Sequence, residues 1–336
     1  MARSKDRIAI LGCLLILLSG IALLNNGLAT ALVRANMYDF LCFYGASQGL
    51  LRGVDFYDWD ETAKIAAEYG EDNFLNVYPP LSSLMFAPLA LLPWSVATRI
   101  WTLLSLAALI AFVVLLGRWF LRGLDGSTRL IWAGVGLMLI AMYHSLGHAF
   151  QVGQVTMIVA ALLMGVLTLA RDRRDNAAAG LLSVAFFFKP TAVVLILYFL
   201  LKRRWRLVLY SLAGITILLL ISVAVLGVPI HESYVQRMIW YFDRVDPGVN
   251  YQDAPSFWAR LVAREGVSPF PQYAHLLKPL SRLSLVVIMV PTVLLLWRRR
   301  WEELSDGALL AEFGLLLTAV LLTQNQSAIH AWFLPS

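Results

Sequence analysis

Apolar residues in this chain gather in blocks and do not alternate with polar ones. Near-continuous apolar runs occupy 8–32, 97–117, 130–149, 155–170, 177–201, 207–227, 281–297 and 308–323. A bilayer core about 30 Å thick takes roughly 20 apolar residues of helix per crossing. Within it, a segment must satisfy its own backbone hydrogen bonds, which a helix does internally. The pattern therefore predicts an all-α polytopic membrane protein with about nine transmembrane helices, some of them short. The first run follows Met-Ala-Arg-Ser-Lys-Asp-Arg. It is longer than the roughly 7 to 15 residues of a signal-peptide core and reads as a retained first helix.

Two segments depart from simple spans. Residues 79–93, Pro-Pro-Leu-Ser-Ser-Leu-Met-Phe-Ala-Pro-Leu-Ala-Leu-Leu-Pro, are too short and too often broken by proline to cross, and predict an interfacial or re-entrant helix. Residues 177–201 lie between two basic links, which requires an even number of crossings within 25 residues. Pro190 lacks a donor and disfavours helix at Lys189, so two short helices meeting near Phe188-Lys189-Pro190 are predicted. Lys189 then sits at a turn inside the membrane, which is tolerated only where backbone is buried in protein or lines a watery cavity.

The polar stretches between runs are of two kinds. Five are short and basic, at the N-terminus and near 118–129, 171–175, 202–206 and 298–300; with their neighbours they hold 16 of the 27 Lys and Arg and eight of the 21 Asp and Glu, a net of +8 against −2 for the remainder. The positive-inside rule puts these links and the N-terminus in the cytoplasm. Two others are long and become outer loops of a single domain spanning 1–336. The first, 33–96, contains an amphipathic stretch from Tyr38 to Leu51 and an acidic helix-like stretch from Asp58 to Tyr69. The second, 228–280, is rich in Trp, Tyr, Pro and charge. The sequence stops just after Trp332-Phe333-Leu334-Pro335, where a further helix is expected, so the C-terminus reads as truncated.

Composition agrees: 60% hydrophobic and 14% charged residues with a mean hydropathy of +0.71, against about 25% charged in a globular domain, exclude an ordinary soluble enzyme. The basic clusters beside apolar runs are topology signals and give no reason to expect a nucleic-acid partner. Cys13 and Cys42 form no CxxC and have no His cluster nearby, so neither a disulfide framework nor a metal site is indicated.

A few polar residues stand out against this background. Asp39 opens the amphipathic stretch and reads either as a helix N-cap or as a carboxylate able to take a proton from a substrate hydroxyl. Lys189, a cation in an apolar window, reads either as snorkelling to an interface or as a point charge for a phosphate. Gln151 and Gln154 flank Val152-Gly153 at a helix start, one to two turns after His144 and His148. The two histidines have no third ligand to make a metal site. His330 lies in a polar break, Thr323 to Trp332, and its imidazole titrates near neutrality. Arg34, Arg52, Arg237 and Arg244 serve equally as solvated charge or as ligands of phosphate or sugar. The aromatics from Tyr234 to Trp258 read first as an interfacial belt.

Taken together, these residues resemble a known family. Tyr38-Asp39-Phe40 followed by Tyr44-Gly45-Ala46-Ser47-Gln48-Gly49-Leu50-Leu51-Arg52-Gly53-Val54-Asp55-Phe56-Tyr57-Asp58 is similar to the opening motif of bacterial glycosyltransferase family 87. Val77-Tyr78-Pro79-Pro80-Leu81, Phe86 to Pro93, Gln151-Val152-Gly153-Gln154-Val155 and Phe188-Lys189-Pro190 follow in the family's order. The resemblance implies a GT-C fold with amphipathic juxtamembrane helices at the outer face. It also implies an inverting transfer of a sugar, mannose or arabinofuranose, from a polyprenyl-phosphate donor to a glycan or glycolipid hydroxyl, with no metal or other cofactor. Carried over by position, it implies Asp39 as the acidic residue on which catalysis depends, Lys189 at the donor phosphate and His330 as the alternative base; Arg34 is expected beside Lys189 at the phosphate, and Tyr38, Tyr78, Gln151 and Gln154 at the substrate. Around His330 the chain departs from the family's paired-histidine pattern, having one histidine and no preceding Ser-Pro. A transporter or flippase of a lipid-linked saccharide would share the intramembrane cation and the outer loops. It should also show an internal repeat between halves, and none is visible.

Overall fold

The computed structural model describes residues 2–25, 36–142, 144–242, 253–262 and 274–323. Among these there are 15 α-helices and no strands. They are α1 (Ala2–Leu23), α2 (Tyr38–Arg52), α3 (Trp59–Ala67), α4 (Pro80–Ala90), α5 (Trp94–Phe120), α6 (Gly126–Met142), α7 (His144–Val152) and α8 (Thr156–Arg171). There follow α9 (Asp175–Phe188), α10 (Val194–Leu201), α11 (Trp205–Leu226), α12 (Val228–Phe242), α13 (Ala254–Val262), α14 (Ala274–Trp297) and α15 (Asp306–Thr323).

Four helices are long and apolar enough to cross a membrane: α5, α11, most of α14, and α15; α6 with α7, bent by 52° between them, makes a fifth. Five shorter apolar helical segments accompany them: Ala9–Leu23, Pro80–Ala90, Thr156–Arg171, Asp175–Phe188 and Pro190–Leu201. The large apolar side chains left exposed on the long helices, such as Leu103 and Ile110 on α5, Leu209 and Leu220 on α11 and Val287 and Leu294 on α14, are the surface a bilayer covers. The protein is therefore a multi-pass membrane protein.

The basic links gather at one end of the bundle. Arg122 (3.3 Å) and Arg171 both pair with Asp306, Arg173 pairs with Glu302 at 3.2 Å, and Arg204 pairs with Asp175. The N-terminus lies at this end too, because α1 runs parallel to α6. Small residues bring those two backbones together: a Cβ added at Gly12 would lie 2.8 Å from Leu130, and one at Gly134 would lie 2.6 Å from the Leu15 Cβ.

The segment from Asp175 to Leu201 is the short hairpin that the basic links on either side require. α9 ends at Phe188, Lys189 is extended, and a 3-10 turn over Pro190–Val193 leads into α10. The chain returns to its starting end, where the Arg204 guanidinium donates to the Asp175 carboxylate and, at 3.0 Å, to the Ala170 carbonyl. α11 then rises beside α9, with the Ser183 hydroxyl donating to the Ser211 carbonyl at 3.2 Å. At the hairpin's foot Lys202, fully buried, donates to the Leu296 and Arg299 carbonyls at 2.6 and 3.1 Å and meets Glu312 at 2.7 Å. It thus satisfies carbonyls at the end of α14 that the helix cannot bond itself.

In two places the segments form as the pattern predicts, and packing sets their surroundings. Residues 80–90 form a helix with Pro80 in its first turn, where a missing N–H costs nothing. It packs along α2. α2 itself is not amphipathic in its surroundings: residues Phe40 to Ser47 are buried on every side. Removing one member of the Lys202 cluster strands a buried charge, which costs about 3 to 5 kcal/mol. Lys202→Met is expected to lower the melting temperature markedly, and Lys202→Met with Glu312→Met to recover most of the loss; equal melting of the single and double variants would refute this account.

Candidate functional site

The site is built on α2, and α2 is seated on the Gln151-Val152-Gly153-Gln154 turn. The Met37 N–H, just before α2, donates to the Gln151 carbonyl at 3.1 Å. The Trp101 indole donates to the Gly153 carbonyl at 2.8 Å. Gly153 has φ +72, and a Cβ there would stand 2.7 Å from the Phe40 Cβ and 2.9 Å from the Met37 sulfur. Only glycine meets both demands, a left-handed backbone and contact with the first turn of α2.

The remaining motif residues build a platform around α2. Gly45 and Gly49 admit the Phe74 ring and Phe56, which an added Cβ would approach to 2.6 and 2.9 Å. On the other side the Tyr44 hydroxyl donates to the Leu92 carbonyl at 2.8 Å, the Ser47 hydroxyl to Ser83 at 2.7 Å and the Gln48 amide to Ala90 at 2.5 Å. Two of these acceptors, Ala90 and Leu92, lie at the C-terminal end of α4, where carbonyls run out of helical partners. Asp58 caps α3 through the Asp60 and Glu61 N–H groups at 2.9 and 3.1 Å. The Tyr57 hydroxyl donates to the Tyr78 carbonyl at 2.5 Å.

The N-cap of α2 is Met37, in the left-handed region at φ 52, and its side chain makes no cap bond. Asp39 is therefore not the cap; it is a first-turn carboxylate, half-buried at the platform's edge. Its charge acts on Tyr38, Cys42, Tyr78 and Lys189. Burial, followed by the nearby Cys42, Asp39 and Glu71, pushes the Tyr38 hydroxyl up to about 12. Burial and Asp39 together also raise the Cys42 thiol and the Tyr78 hydroxyl well above their ordinary values. Both tyrosines thus stay protonated at neutral pH and can donate hydrogen bonds beside Asp39.

Lys189 reaches this place from the hairpin apex. A run of rings joins the two: Tyr78 lies 3.9 Å from Phe43, Phe43 lies 4.5 Å from Phe86, and Phe86 lies 5.9 Å from Phe188, the residue before Lys189. Such contacts stabilise by about 0.5 to 1.5 kcal/mol each beyond burial. The platform and the hairpin apex therefore face each other, bringing together a carboxylate and an ammonium that are 150 residues apart in the chain.

The second long loop fastens onto the platform. The Arg237 guanidinium is buried, lies 3.9 Å from the centre of the Trp59 ring and donates to the Tyr57 carbonyl. The Ser233 hydroxyl donates to Asp55 at 2.5 Å, Trp240 packs edge-on to Trp59 at 5.2 Å, and Tyr241 acts on Tyr78 electrostatically. Arg237 is thus a cation–π strut, neither solvated charge nor open to a phosphate. Arg52 is taken up in a pair with Glu68 at 2.5 Å.

Of the residues singled out in the sequence, Tyr38, Asp39, Tyr78 and Lys189 share this neighbourhood. Gln151 contributes its backbone carbonyl beneath α2, and the Gln154 side chain accepts the Thr156 hydroxyl at 2.6 Å. Arg34, Arg244 and His330 lie outside the described residues. The sequence named Gly153 only as part of the Gln151–Gln154 motif and Arg237 only as solvated charge or a ligand of phosphate or sugar; their packing roles come from the close approach of α2 and from the tryptophans around the guanidinium.

The profile of glycosyltransferase family 87 matches residues 76–323, which take in Tyr78, the Gln151–Gln154 turn and the hairpin. The chain belongs to glycosyltransferase family 87. Two curated relatives are similar to this glycosyltransferase. A protein of Mycolicibacterium smegmatis (strain ATCC 700084 / mc(2)155) is 27% identical over 310 residues, covering 90% of this chain and 68% of its own length. It is named a polyprenol-phosphate-mannose-dependent alpha-(1-2)-phosphatidylinositol pentamannoside mannosyltransferase. A polyprenol-phosphate-mannose-dependent alpha-(1-2)-phosphatidylinositol mannoside mannosyltransferase of Mycobacterium tuberculosis (strain ATCC 25618 / H37Rv) is 30% identical over 164 residues, 45% of this chain and 37% of that one. No solved structure matches the chain significantly.

A side chain at Gly153 must displace the first turn of α2, and misplacing a reacting group by about 1 Å costs on the order of 100-fold in rate. Gly153→Ala is expected to lower kcat for sugar transfer by roughly 10- to 100-fold. Steady-state assay of the folded variant checks this, and an unchanged kcat would show that the turn does not position Asp39.

Proposed function

We propose that this chain transfers mannose from a polyprenyl-phosphate donor to a hydroxyl of a glycan or glycolipid, with inversion at the anomeric carbon, at the membrane face opposite its basic end. The observation that carries this reading is that the platform bearing Asp39 packs through Tyr78, Phe43 and Phe86 against Phe188 at the hairpin apex, next to Lys189. A carboxylate beside an intramembrane cation suits a reaction in which a proton leaves one partner while negative charge develops on the other. The donor is argued from the names of the two relatives, both of which depend on polyprenol-phosphate-mannose. An acceptor of the mannosylated phosphatidylinositol kind is argued from the same names.

In this reading Asp39, alone or orienting His330, takes the proton of the acceptor hydroxyl. The acceptor oxygen bonds to the anomeric carbon as the bond from that carbon to the phosphate oxygen breaks on the opposite face. Polyprenyl phosphate leaves with the bonding pair. Its charge is met by Lys189, a point cation suited to phosphate, and by Arg34. Tyr38 and Tyr78, held protonated, donate to sugar or acceptor hydroxyls, and Gln151 and Gln154 line the floor. The positive-inside rule places the basic end in the cytoplasm, so the Asp39 end, covered by the loops 33–96 and 228–280, faces outward within one domain. A lipid donor needs a site open to the bilayer and a glycan acceptor needs water, and this boundary offers both.

The test is incubation of purified protein in proteoliposomes with polyprenyl-phosphate mannose and, separately, polyprenyl-phosphate arabinose, measuring enzyme-dependent release of polyprenyl phosphate. Release from the mannose donor is expected. Asp39→Asn should lower kcat by about 10²- to 10⁴-fold, the usual worth of a general base, and a variant with near-normal turnover would exclude Asp39 as base. Lys189→Met should raise the donor KM by about tenfold or more, as expected on losing a charge-assisted hydrogen bond. An unchanged donor dependence would remove Lys189 from the phosphate site.

A further inference from the structure

The basic end carries a feature that the transfer reaction does not use. Two helices there end in the same way. At the end of α8 the Arg173 and Arg174 N–H groups donate to the Ala170 and Leu169 carbonyls at 3.3 and 2.9 Å; at the end of α10 those of Arg203 and Arg204 donate to Leu200 and Phe199 at 3.0 and 2.9 Å. Both are Schellman turns, and both place arginine in the left-handed position, with φ 59 at Arg173 and φ 57 at Arg203. Glycine is the usual residue there because it meets that backbone without strain. Arginine accepts the strain and keeps a charge. The Arg204–Asp175 pair ties the two turns side by side.

Between them lies an open depression of about 440 Å³ lined by Arg173, Arg174, Asp175, Asn176, Ala177 and Arg206. Its one carboxylate, Asp175, is taken up by Arg204, and Arg173 is shared with Glu302. Among the described residues, Arg174 and Arg206 make no side-chain ion pair. The first turn of α9 opens into the same hollow and carries no side-chain cap. From Arg206 an exposed apolar ridge climbs α11 at helical spacing, through Leu209 and Tyr210 to Ile217, with Trp205 exposed at its foot. Tryptophan at the end of a spanning helix marks the level of lipid headgroups.

We propose that this depression is a binding site for an anionic membrane phospholipid of the leaflet at the basic end. The lipid phosphate sits between Arg174 and Arg206, and its acyl chains lie along the Leu209–Ile217 ridge of α11. A guanidinium fork matches phosphate geometry, and basic pockets at the ends of spanning helices select anionic headgroups. The continuous apolar ridge argues for a lipid over a free anion, since a soluble phosphate has no use for it. The occupant would brace the foot of the hairpin whose apex carries Lys189.

The test is native mass spectrometry of the purified, detergent-solubilised protein with added phosphatidylglycerol, phosphatidylcholine or inorganic phosphate, alongside melting temperature with each lipid. Wild type is expected to retain phosphatidylglycerol at least several-fold over phosphatidylcholine and to melt higher with it. Arg174→Gln with Arg206→Gln should erase both differences. Arg206→Gln alone removes no ion pair among the described residues and should already lose most of the preference. Arg118→Gln with Arg298→Gln removes equal charge from outside the depression and should keep it. Equal retention of the two lipids by wild type, an undiminished preference in the Arg174 and Arg206 variants, or equal loss in the Arg118 and Arg298 control would overturn the proposal. So would full displacement of the lipid by millimolar phosphate, which would mark a free-anion site. None of these readouts depends on sugar transfer.

Discussion

A chain reversal inside an apolar bundle is the constraint on which the rest depends. Backbone that leaves helical geometry in such surroundings must find partners for its N–H and C=O groups. The reversal at Lys189 and Pro190 is tolerable only because other parts of the protein enclose it. Its foot is clamped by Arg204 on Asp175 and by Lys202 on Glu312 and the end of α14. Its apex is met by Phe86 and the platform above. The hairpin cannot form without the bundle, and without the hairpin the bundle would not deliver a cation to Asp39.

The two ends of the molecule divide the work. At the basic end charges are paired across links, with Asp306 shared by Arg122 and Arg171, and the result is a rigid base. At the opposite end, among the described residues, Arg52 on α2 pairs with Glu68 just after α3. Packing of rings, hydroxyls donating to helix-end carbonyls, and one buried arginine between tryptophans hold α2, α3, α4 and α12 together. On the reading proposed above, Asp39 and Lys189 are the charges of this end that a substrate would meet.

Much of the sequence pattern around α2 therefore turns out to be architecture. Gly45 and Gly49 are sites of close approach, Ser47 and Gln48 bind carbonyls of α4, and Asp58 is a helix cap. The proposed chemistry draws on a small remainder: Asp39 with Tyr38 and Tyr78, and a lysine brought in from 150 residues away. Family membership says that the chain transfers a sugar; that Asp39 and Lys189 serve as its base and phosphate-binding cation is our proposal.

The sequence by itself determined the helical class, the membrane setting, the paired basic links and the break at Lys189-Pro190. Each of these follows from local rules: run length, hydropathy, the missing N–H of proline, and the cost of carrying arginine through lipid. It also singled out Asp39 and Lys189, because a charge in an apolar context is conspicuous wherever it lies. What it left open was decided by contacts between residues far apart in the chain. Whether Asp39 caps its helix depended on Met37 resting on the Gln151 carbonyl, and whether Arg237 is solvated depended on Trp59 and Trp240 closing over it. The roundness of burial on α2 came from Phe74 and Phe56 filling the space that two glycines leave. Local pattern records what a residue prefers, whereas a neighbour's position is a property of the packed whole, and only the tertiary structure sets it.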